Sequence, residues 1–310
     1  MVSPRRPDFI IIGAPRSGTT YIARNLDNHP SAAVVTSKDD PFANDMHFFD
    51  TNTPKGKTNF DRGWDWYLEQ FQAFSKDILV GEKTADYLTD PDAPALISRF
   101  LPDTKLIAIL RNPIERAQSH FWHSRHRLPT GLTLADLAKR GEDFNDVWVL
   151  ESGFYARQLE LYREYFEEDQ MLLLIHEDIE RHPQQTLERL FKFLELDSKN
   201  ADYKDAKNKI NSGSSSFASQ LVAKAGARLR NLFPGLYYLL LNGKLSVITK
   251  PILQIARGKQ VKPKAGKQES KQYPEMDEET RRILWELYSE DVKKLSSIIG
   301  RDLVKDWRSL

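Results

Sequence analysis

The stretch "FIIIGAPRSGTT", residues 9–20, decides the fold of this 310-residue chain. Four apolar residues lead into Gly13, and Gly18 follows five positions later, which is the glycine spacing of a nucleotide-binding P-loop, G-x-x-x-x-G-K-[ST]. Glycines at these positions let backbone N–H groups turn toward phosphate oxygens at the positive end of the following helix. The stretch therefore predicts a buried strand, a phosphate-binding loop and a helix. A tight strand-to-helix turn that binds nothing is the alternative.

A threonine, Thr19, stands where the P-loop has its lysine. That lysine reaches the β- and γ-phosphates of a triphosphate, and the hydroxyl after it binds Mg²⁺. Its loss argues against binding and cleaving ATP, and Arg16 supplies a cation inside the loop instead. We therefore expect a ligand with a single 5′-phosphate group, held by Pro15, Arg16, Ser17, Gly18, Thr19 and Thr20.

Short apolar runs and helical patterns alternate along the chain. The runs predict buried parallel strands at 9–14, 32–35, 78–84, 105–111 and 171–179. Helical patterns lie at 18–28, 64–72, 113–127, 153–167, 184–195 and 276–300. This alternation, with both sheet faces apolar, predicts a P-loop-like three-layer α/β/α fold around a central parallel sheet.

Composition excludes several function classes. The formal charge is +1, so no strong field for nucleic acid is expected, and with no cysteine there is neither a disulfide nor a catalytic thiol. No metal-ligand cluster is apparent, and we expect no metal. The short polar start does not resemble a signal peptide, and no apolar run reaches the roughly 18 residues of a membrane span. These features predict a cytoplasmic protein.

A second anion-binding pocket is expected at the carboxyl end of the strand predicted at 105–111. Arg111 ends the run at 105–111, and Ser119 lies two turns into the following helix. A guanidinium and a hydroxyl at the carboxyl edge of a sheet can bind a phosphate group. Two such pockets indicate a nucleotide phosphorylated at both ends of its ribose.

The motifs around both pockets carry a family resemblance. "PRSGTT" (15–20) and "RNPIERAQSH" (111–120) resemble the two cofactor motifs of sulfotransferases, which use 3′-phosphoadenosine 5′-phosphosulfate (PAPS) and release 3′-phosphoadenosine 5′-phosphate (PAP). "DMHFFD" (45–50), "WDWYLEQF" (64–71) and "GEKTADYL" (81–88) occur in the same order in the heparan-sulfate-type N- and 3-O-sulfotransferases. "KQYPEMD" (271–277) resembles that family's C-terminal cofactor loop. The resemblance covers about 8–198 and 267–310 and indicates a bacterial-type member with a single domain, 1–310.

The resemblance implies roles on the acceptor side. The family's catalytic base is a glutamate two positions before "HFF", where this chain has the shorter Asp45. His47 and Asp50 match positions that frame the acceptor, and His123 is the alternative base. Without the resemblance, Asp45 would be a loop charge or helix cap, and His47 a core histidine.

It also implies contacts with the donor. Lys83 matches a lysine at the bridge between sulfate and phosphate, with an ion pair to Glu82 as the alternative, and Arg16 belongs to the same catalytic set. Tyr155 is expected to line the cleft, or else to pack on a helix face. The family has a Gly-Arg pair before the tyrosine of the C-terminal loop; here Lys271, together with Lys267 and Tyr273, is expected to bind the 3′-phosphate side.

The segment 200–266 has no such match. Between Gly213 and Gln272 there are 11 Lys/Arg and one acid, Glu269. It is predicted to be an inserted, basic, amphipathic helical segment. We favour a cover over the acceptor cleft for residues 217–257; peripheral contact with an anionic membrane, or packing on the sheet, are the alternatives.

These observations predict a PAPS-dependent sulfotransferase. It would move a sulfuryl group to a hydroxyl or amine of a carbohydrate, lipid or small-molecule acceptor by in-line displacement. A P-loop nucleotide kinase and a catalytically inactive nucleotide-binding protein are the alternatives. The acceptor itself does not follow from the sequence.

Overall fold

The computed structural model describes residues 4–36, 45–51, 59–140, 148–198 and 273–308. The predicted insertion at 200–266, with its proposed cover at 217–257, lies outside the described residues. So do Lys267 and Lys271. The expectations for these residues remain predictions.

The described core is one parallel sheet of five strands. They are β1 (Phe9–Gly13), β2 (Ala32–Val35), β3 (Leu79–Lys83), β4 (Lys105–Leu110) and β5 (Met171–Ile175). Their order is β2-β3-β1-β4-β5, and every neighbouring pair is parallel. The strands β2 and β3 lie on one side of β1, and β4 and β5, which come later in the chain, lie on the other side. The carboxyl end of β1 is therefore a topological switch point, where ligands bind in such sheets.

Helices follow the strands and cover the sheet. They are α1 (Thr19–Asp27), α2 (Trp64–Glu69), α3 (Ala93–Phe100), α4 (Pro113–Ser124), α5 (Leu134–Arg140), α6 (Trp148–Glu151), α7 (Tyr155–Arg163), α8 (His176–Arg181), α9 (Pro183–Phe193), α10 (Glu278–Ile299) and α11 (Leu303–Arg308). Short 3₁₀ turns lie at Phe60–Arg62, Ala85–Leu88, Arg125–Arg127 and Glu168–Gln170. Six of the eleven helices in the described ranges were predicted; α3, α5, α6, α8 and α11 were not.

Both faces of the sheet are buried. Ile10 and Ile12 of β1 pack in one apolar cluster, whereas Phe9 and Ile11 pack in a second cluster on the other side. Successive side chains of a strand point to opposite faces, so a strand covered on both sides must be apolar throughout. The predicted three-layer α/β/α fold is confirmed.

One strand prediction was too long. The run at 171–179 was predicted as a single strand, but β5 ends at Ile175 and α8 begins at His176. Glu177 and Asp178 lie in the first turn of α8, where the helix dipole stabilises acidic side chains. The change from apolar to acidic residues therefore marks the helix start.

Within the described residues, no helix combines the length and the apolar composition needed to cross a bilayer.

Candidate active site

The loop between β1 and α1 has the backbone of an anion site. Gly18 precedes α1 with a φ of 100°, and Arg16 has a φ of 67°. No side chain among the described residues caps the first turn of α1. The first amides of a helix have no acceptor within the helix, so the start of α1 offers N–H donors to an anionic group.

Gly13 is needed for a second reason that the sequence did not reveal. A Cβ atom at this position would lie 2.5 Å from Cβ of Leu88. The end of β1 therefore packs directly against the turn Ala85–Leu88, which follows β3. This close approach brings the phosphate loop beside the carboxyl end of β3, where Lys83 lies.

The residues of the two predicted anion-binding pockets are in contact in the structure. Nε of Arg16 donates a hydrogen bond to Oγ of Ser119 at 3.3 Å. Nη1 of Arg111 donates to the carbonyl oxygen of Arg16 at 3.4 Å. Ser119 is buried on α4, a helix that begins at Pro113 with the Asn112 side chain as its cap. Two guanidinium groups and one hydroxyl thus lie together beside the loop.

Tyr155 is buried rather than exposed in a cleft. Its hydroxyl donates to the carbonyl oxygen of Arg111 at 2.9 Å and accepts from the Arg111 N–H at 3.4 Å. Burial raises the pKa of this hydroxyl to about 12. Tyr155 therefore does not line the cleft, which was one of its two expected positions. Its hydroxyl fixes the backbone of Arg111 instead.

His176 was not predicted as a site residue. It directly follows β5, and its Nδ1 donates to the carbonyl oxygen of Ser17 at 2.9 Å. Its Nε2 lies 3.4 Å from a carboxylate oxygen of Glu180, and this close contact with His176 lowers the pKa of Glu180. The sequence signal that could have identified His176 as a site residue is its position directly after the apolar run of a parallel strand, at the edge of the sheet where ligands bind.

Lys83 and Asp45 form an ion pair at the end of β3. Nζ of Lys83 contacts Oδ1 of Asp45, and the lysine side chain is only 6% exposed. The alternative partner, Glu82, points to the opposite side of the strand and bonds to three hydroxyl groups. The predicted lysine and the predicted base are therefore brought together.

His47 extends this cluster. Its backbone has a φ of 50°, its Nδ1 is hydrogen-bonded to Oδ2 of Asp50, and its Nε2 lies 3.9 Å from Oδ2 of Asp45. Asp50 is fully buried and hydrogen-bonded to His47, and its predicted place beside the acceptor remains a prediction. Burial raises the pKa of Asp50, and the hydrogen bond with His47 opposes that shift.

The other predicted residues lie on or beside α4. His123, the alternative base, is exposed and lies four residues after Ser119. Tyr273 is 39% exposed, and its ring stacks on Trp122 with an interplanar angle of 9°. Nε2 of Gln118 donates to the carbonyl oxygen of Pro274 at 2.8 Å. The C-terminal loop residues from Tyr273 onward therefore dock on the helix that carries Ser119.

One set of side chains in the described ranges has the composition of a metal site. Ligand atoms of His47, Asp50 and Asp86 lie within 4.8 Å of one another, which the sequence did not suggest. Nδ1 of His47 and Oδ2 of Asp50 are bonded to each other. We assign these two residues to the hydrogen-bond network, and the expected absence of a metal remains a prediction.

Comparison with known proteins gives this site a family. A sequence model described as the sulfotransferase family matches residues 7–200, more than half of the chain. The chain belongs to the sulfotransferase family. The matched span contains every predicted site residue except Lys267, Lys271 and Tyr273, and the family predicted from the motifs is confirmed.

Two relatives carry the names of sulfotransferases that act on heparan sulfate. The bifunctional heparan sulfate N-deacetylase/N-sulfotransferase 3 of Mus musculus is 30% identical over 203 residues, 61% of this chain and 22% of that protein. The heparan sulfate glucosamine 3-O-sulfotransferase 3B1 of Mus musculus is 30% identical over 198 residues, 63% of this chain and 47% of that protein. The chain thus matches less than half the length of either relative.

A solved structure supports the sulfotransferase fold. The sulfotransferase from Alicyclobacillus acidocaldarius superimposes with a TM-score of 0.66 at 22% identity, over 98% of this chain and 99% of that one. At this identity the likeness concerns the fold alone.

Proposed function

We propose that this protein transfers the sulfuryl group of PAPS to a hydroxyl or amine of a carbohydrate, lipid or small-molecule acceptor. One observation carries the proposal. The Lys83–Asp45 ion pair lies at the carboxyl end of β3, beside the β1 loop with which Arg111 and Ser119 make contact. In this proposal Lys83 is the cation for the leaving oxygen, Asp45 is the base for the acceptor, and both would act next to two pockets for phosphate groups.

The residues of the nucleotide side fit a doubly phosphorylated nucleotide. The uncapped start of α1 offers backbone donors to a 5′-phosphate, with Arg16, Thr19 and Thr20 beside them. Arg111 and Ser119 would hold the 3′-phosphate, and we include Tyr273, Lys267 and Lys271 in that contact. A nucleotide kinase fits less well, because Thr19 replaces the lysine that a triphosphate requires.

The acceptor side supplies the proton chemistry. Sulfuryl transfer is an in-line displacement in which the acceptor gives up a proton and negative charge develops on the leaving phosphate oxygen. Lys83 would stabilise that charge. Asp45 would take the proton, because its Oδ2 is not the oxygen engaged by Lys83. Asp50 would hold His47 in place beside Asp45.

The relatives named above act on an amine or a hydroxyl of heparan sulfate, as their names state, which supports a carbohydrate acceptor. Residues 217–257 would cover the acceptor cleft, and peripheral membrane contact by the same residues is the alternative.

The proposal is tested by transfer from sulfur-labelled PAPS to a panel of small alcohols, amino sugars and glycolipids. We expect label in at least one acceptor, and about 100- to 1000-fold slower labelling with the Lys83→Ala variant at the same enzyme concentration. Tight binding of PAP with no transfer to any acceptor class would favour the inactive nucleotide-binding protein instead.

A further inference from the structure

Glu82 precedes Lys83 on β3, and its carboxylate is completely buried. A buried charge is costly unless hydrogen bonds compensate for the loss of water. Here three hydroxyl groups donate to it. Tyr67 and Tyr87 donate to Oε1 at 3.2 and 2.9 Å, and Thr84 donates to Oε2 at 2.9 Å.

Two of these hydroxyls also hold the loop that carries Asp45 and His47. Oγ1 of Thr84 accepts from the backbone N–H groups of Met46 and His47, each at 3.0 Å. The hydroxyl of Tyr87 accepts from the N–H groups of Phe48 and Phe49, at 2.9 and 3.2 Å. Four consecutive amides, 46–49, are thus bound by two hydroxyls that both point their protons at one carboxylate. We call this arrangement the amide clamp.

The charge of Glu82 determines the direction of these hydrogen bonds. A hydroxyl has one proton and two lone pairs, and a carboxylate can only accept. Each hydroxyl therefore gives its proton to Glu82 and keeps both lone pairs for two amides. A carboxamide has one accepting and one donating end. It would serve one of the two hydroxyls and present an N–H to the other.

The loop needs such a restraint. The φ of 50° places His47 in the left-handed region, which non-glycine residues occupy only when their surroundings enforce it. The clamp fixes the backbone on both sides of His47. Asn59 adds two bonds from the other side, to the carbonyl oxygens of Met46 and His47, both at 2.7 Å.

We propose that Glu82 is a positioning residue of the acceptor side: through the hydroxyls of Thr84 and Tyr87 its carboxylate fixes the backbone that carries Asp45 and His47. The catalytic consequence rests on the proposed sulfuryl transfer. The clamp itself does not, and it is tested without turnover.

The first test compares two Tyr→Phe variants in the protein without ligand. Tyr67→Phe and Tyr87→Phe each remove one hydroxyl bonded to Oε1 of Glu82, but only Tyr87 contacts the loop amides. Hydrogen exchange is measured by NMR at pH 8, above the pKa of Glu82, which burial raises to about 7. We expect exchange at Phe48 and Phe49 to accelerate roughly tenfold in Tyr87→Phe and to stay within about twofold in Tyr67→Phe. Equal exchange in the two variants would overturn the clamp.

The second test separates positioning from general stability. In Glu82→Gln we expect kcat to fall roughly 10- to 100-fold, while the affinity for PAP stays within about twofold. Parallel losses of PAP affinity and kcat would overturn the positioning role. If wild type transfers no sulfuryl group, the proposed function fails, and the exchange result still decides the clamp.

A third pair of variants covers the case in which Glu82→Gln does not fold. Thr84→Ser keeps the hydroxyl, and Thr84→Val keeps the shape without it. We expect Thr84→Ser to retain the slow exchange at His47 and Thr84→Val to lose it; the Met46 N–H is not used, because it also bonds to the carbonyl oxygen of Lys83 at 3.1 Å. Loss in both variants, or in neither, would contradict the proposal.

Discussion

The nucleotide side and the acceptor side of the site differ in what holds them. On the nucleotide side, the loop proposed for the 5′-phosphate is contiguous at 13–20, where the end of β1 and the start of α1 present backbone groups. On the acceptor side, the loop at 45–50 is held by Thr84 and Tyr87, which are 37 to 39 positions away in sequence. A site built from local backbone tolerates change in its side chains, whereas a site built from a buried network does not.

The largest expected effect separates the two sides. In Asp45→Asn, turnover should fall about 100- to 10000-fold, because a carboxamide does not accept a proton at neutral pH. PAP affinity should stay within about twofold of wild type, since Asp45 is not part of the nucleotide side. Turnover is measured with saturating PAPS, and PAP binding by calorimetry.

Two companion variants sharpen this result. Asp45→Glu restores the residue that the resemblance implies and should keep most of the turnover. If His123→Ala is more damaging than Asp45→Asn, His123 is the base and the assigned roles are reversed.

Lys83→Ala should reduce kcat about 100- to 1000-fold with a modest loss of PAP affinity. The lysine is assigned to charge that develops on the leaving oxygen, and removing such a donor has effects of this size. Normal turnover in this variant would remove Lys83 from the mechanism. Lys83→Arg is the matched control, because it keeps the charge but changes the geometry.

The pH dependence of stability probes the buried network alone. Burial raises the pKa of Glu82 from 4.5 to about 7, against the hydrogen bonds from Tyr87, Thr84 and Tyr67. Between pH 4.5 and about pH 7, the Glu82 carboxyl of the folded protein holds a proton that the same group has released in the unfolded chain. The free energy of unfolding should therefore fall as pH rises through this window, by up to roughly 3 kcal/mol.

Urea unfolding of wild type and Glu82→Gln from pH 4.5 to 8 measures this effect. The variant has no titrating group at position 82, so the difference in stability between the two proteins should change across the window. A difference that is constant with pH would show that Glu82 keeps an ordinary pKa.

The smallest expected effect is on the nucleotide side. Ser119→Ala removes the acceptor for Nε of Arg16 and one predicted phosphate contact. A single hydrogen bond of this kind contributes about 1 kcal/mol, so PAP affinity should fall roughly fivefold. Urea unfolding should show little change. A loss of stability with unchanged affinity would assign Ser119 to packing.

The same difference between the two sides determined what the sequence could predict. Apolar runs gave all five strands, and the glycine spacing located the phosphate loop, because both signals are local. The partner of Lys83 and the burial of Tyr155 depend on contacts between distant segments, which no local pattern contains.

Two outcomes had a signal in the sequence. Adjacent residues on a strand face opposite sides, so the alternative of an ion pair between Lys83 and Glu82 could have been excluded. The acidic residues Glu177 and Asp178 after the apolar run favoured a helix start over more strand. Lys267 and Lys271 lie outside the described residues, so their predicted contacts rest on the sequence alone.

The central claim is that two adjoining anion-binding pockets bind one nucleotide phosphorylated at both ends of its ribose. Titration calorimetry of the wild-type protein with PAP, AMP and ATP tests it most directly. AMP lacks the 3′-phosphate and leaves Arg111 without its partner, at a cost of about 1–3 kcal/mol. We therefore predict roughly 5- to 150-fold tighter binding of PAP than of AMP, and no enhancement of ATP binding by Mg²⁺. Equal affinity for PAP and AMP, or tight Mg²⁺-dependent binding of ATP, would contradict the account.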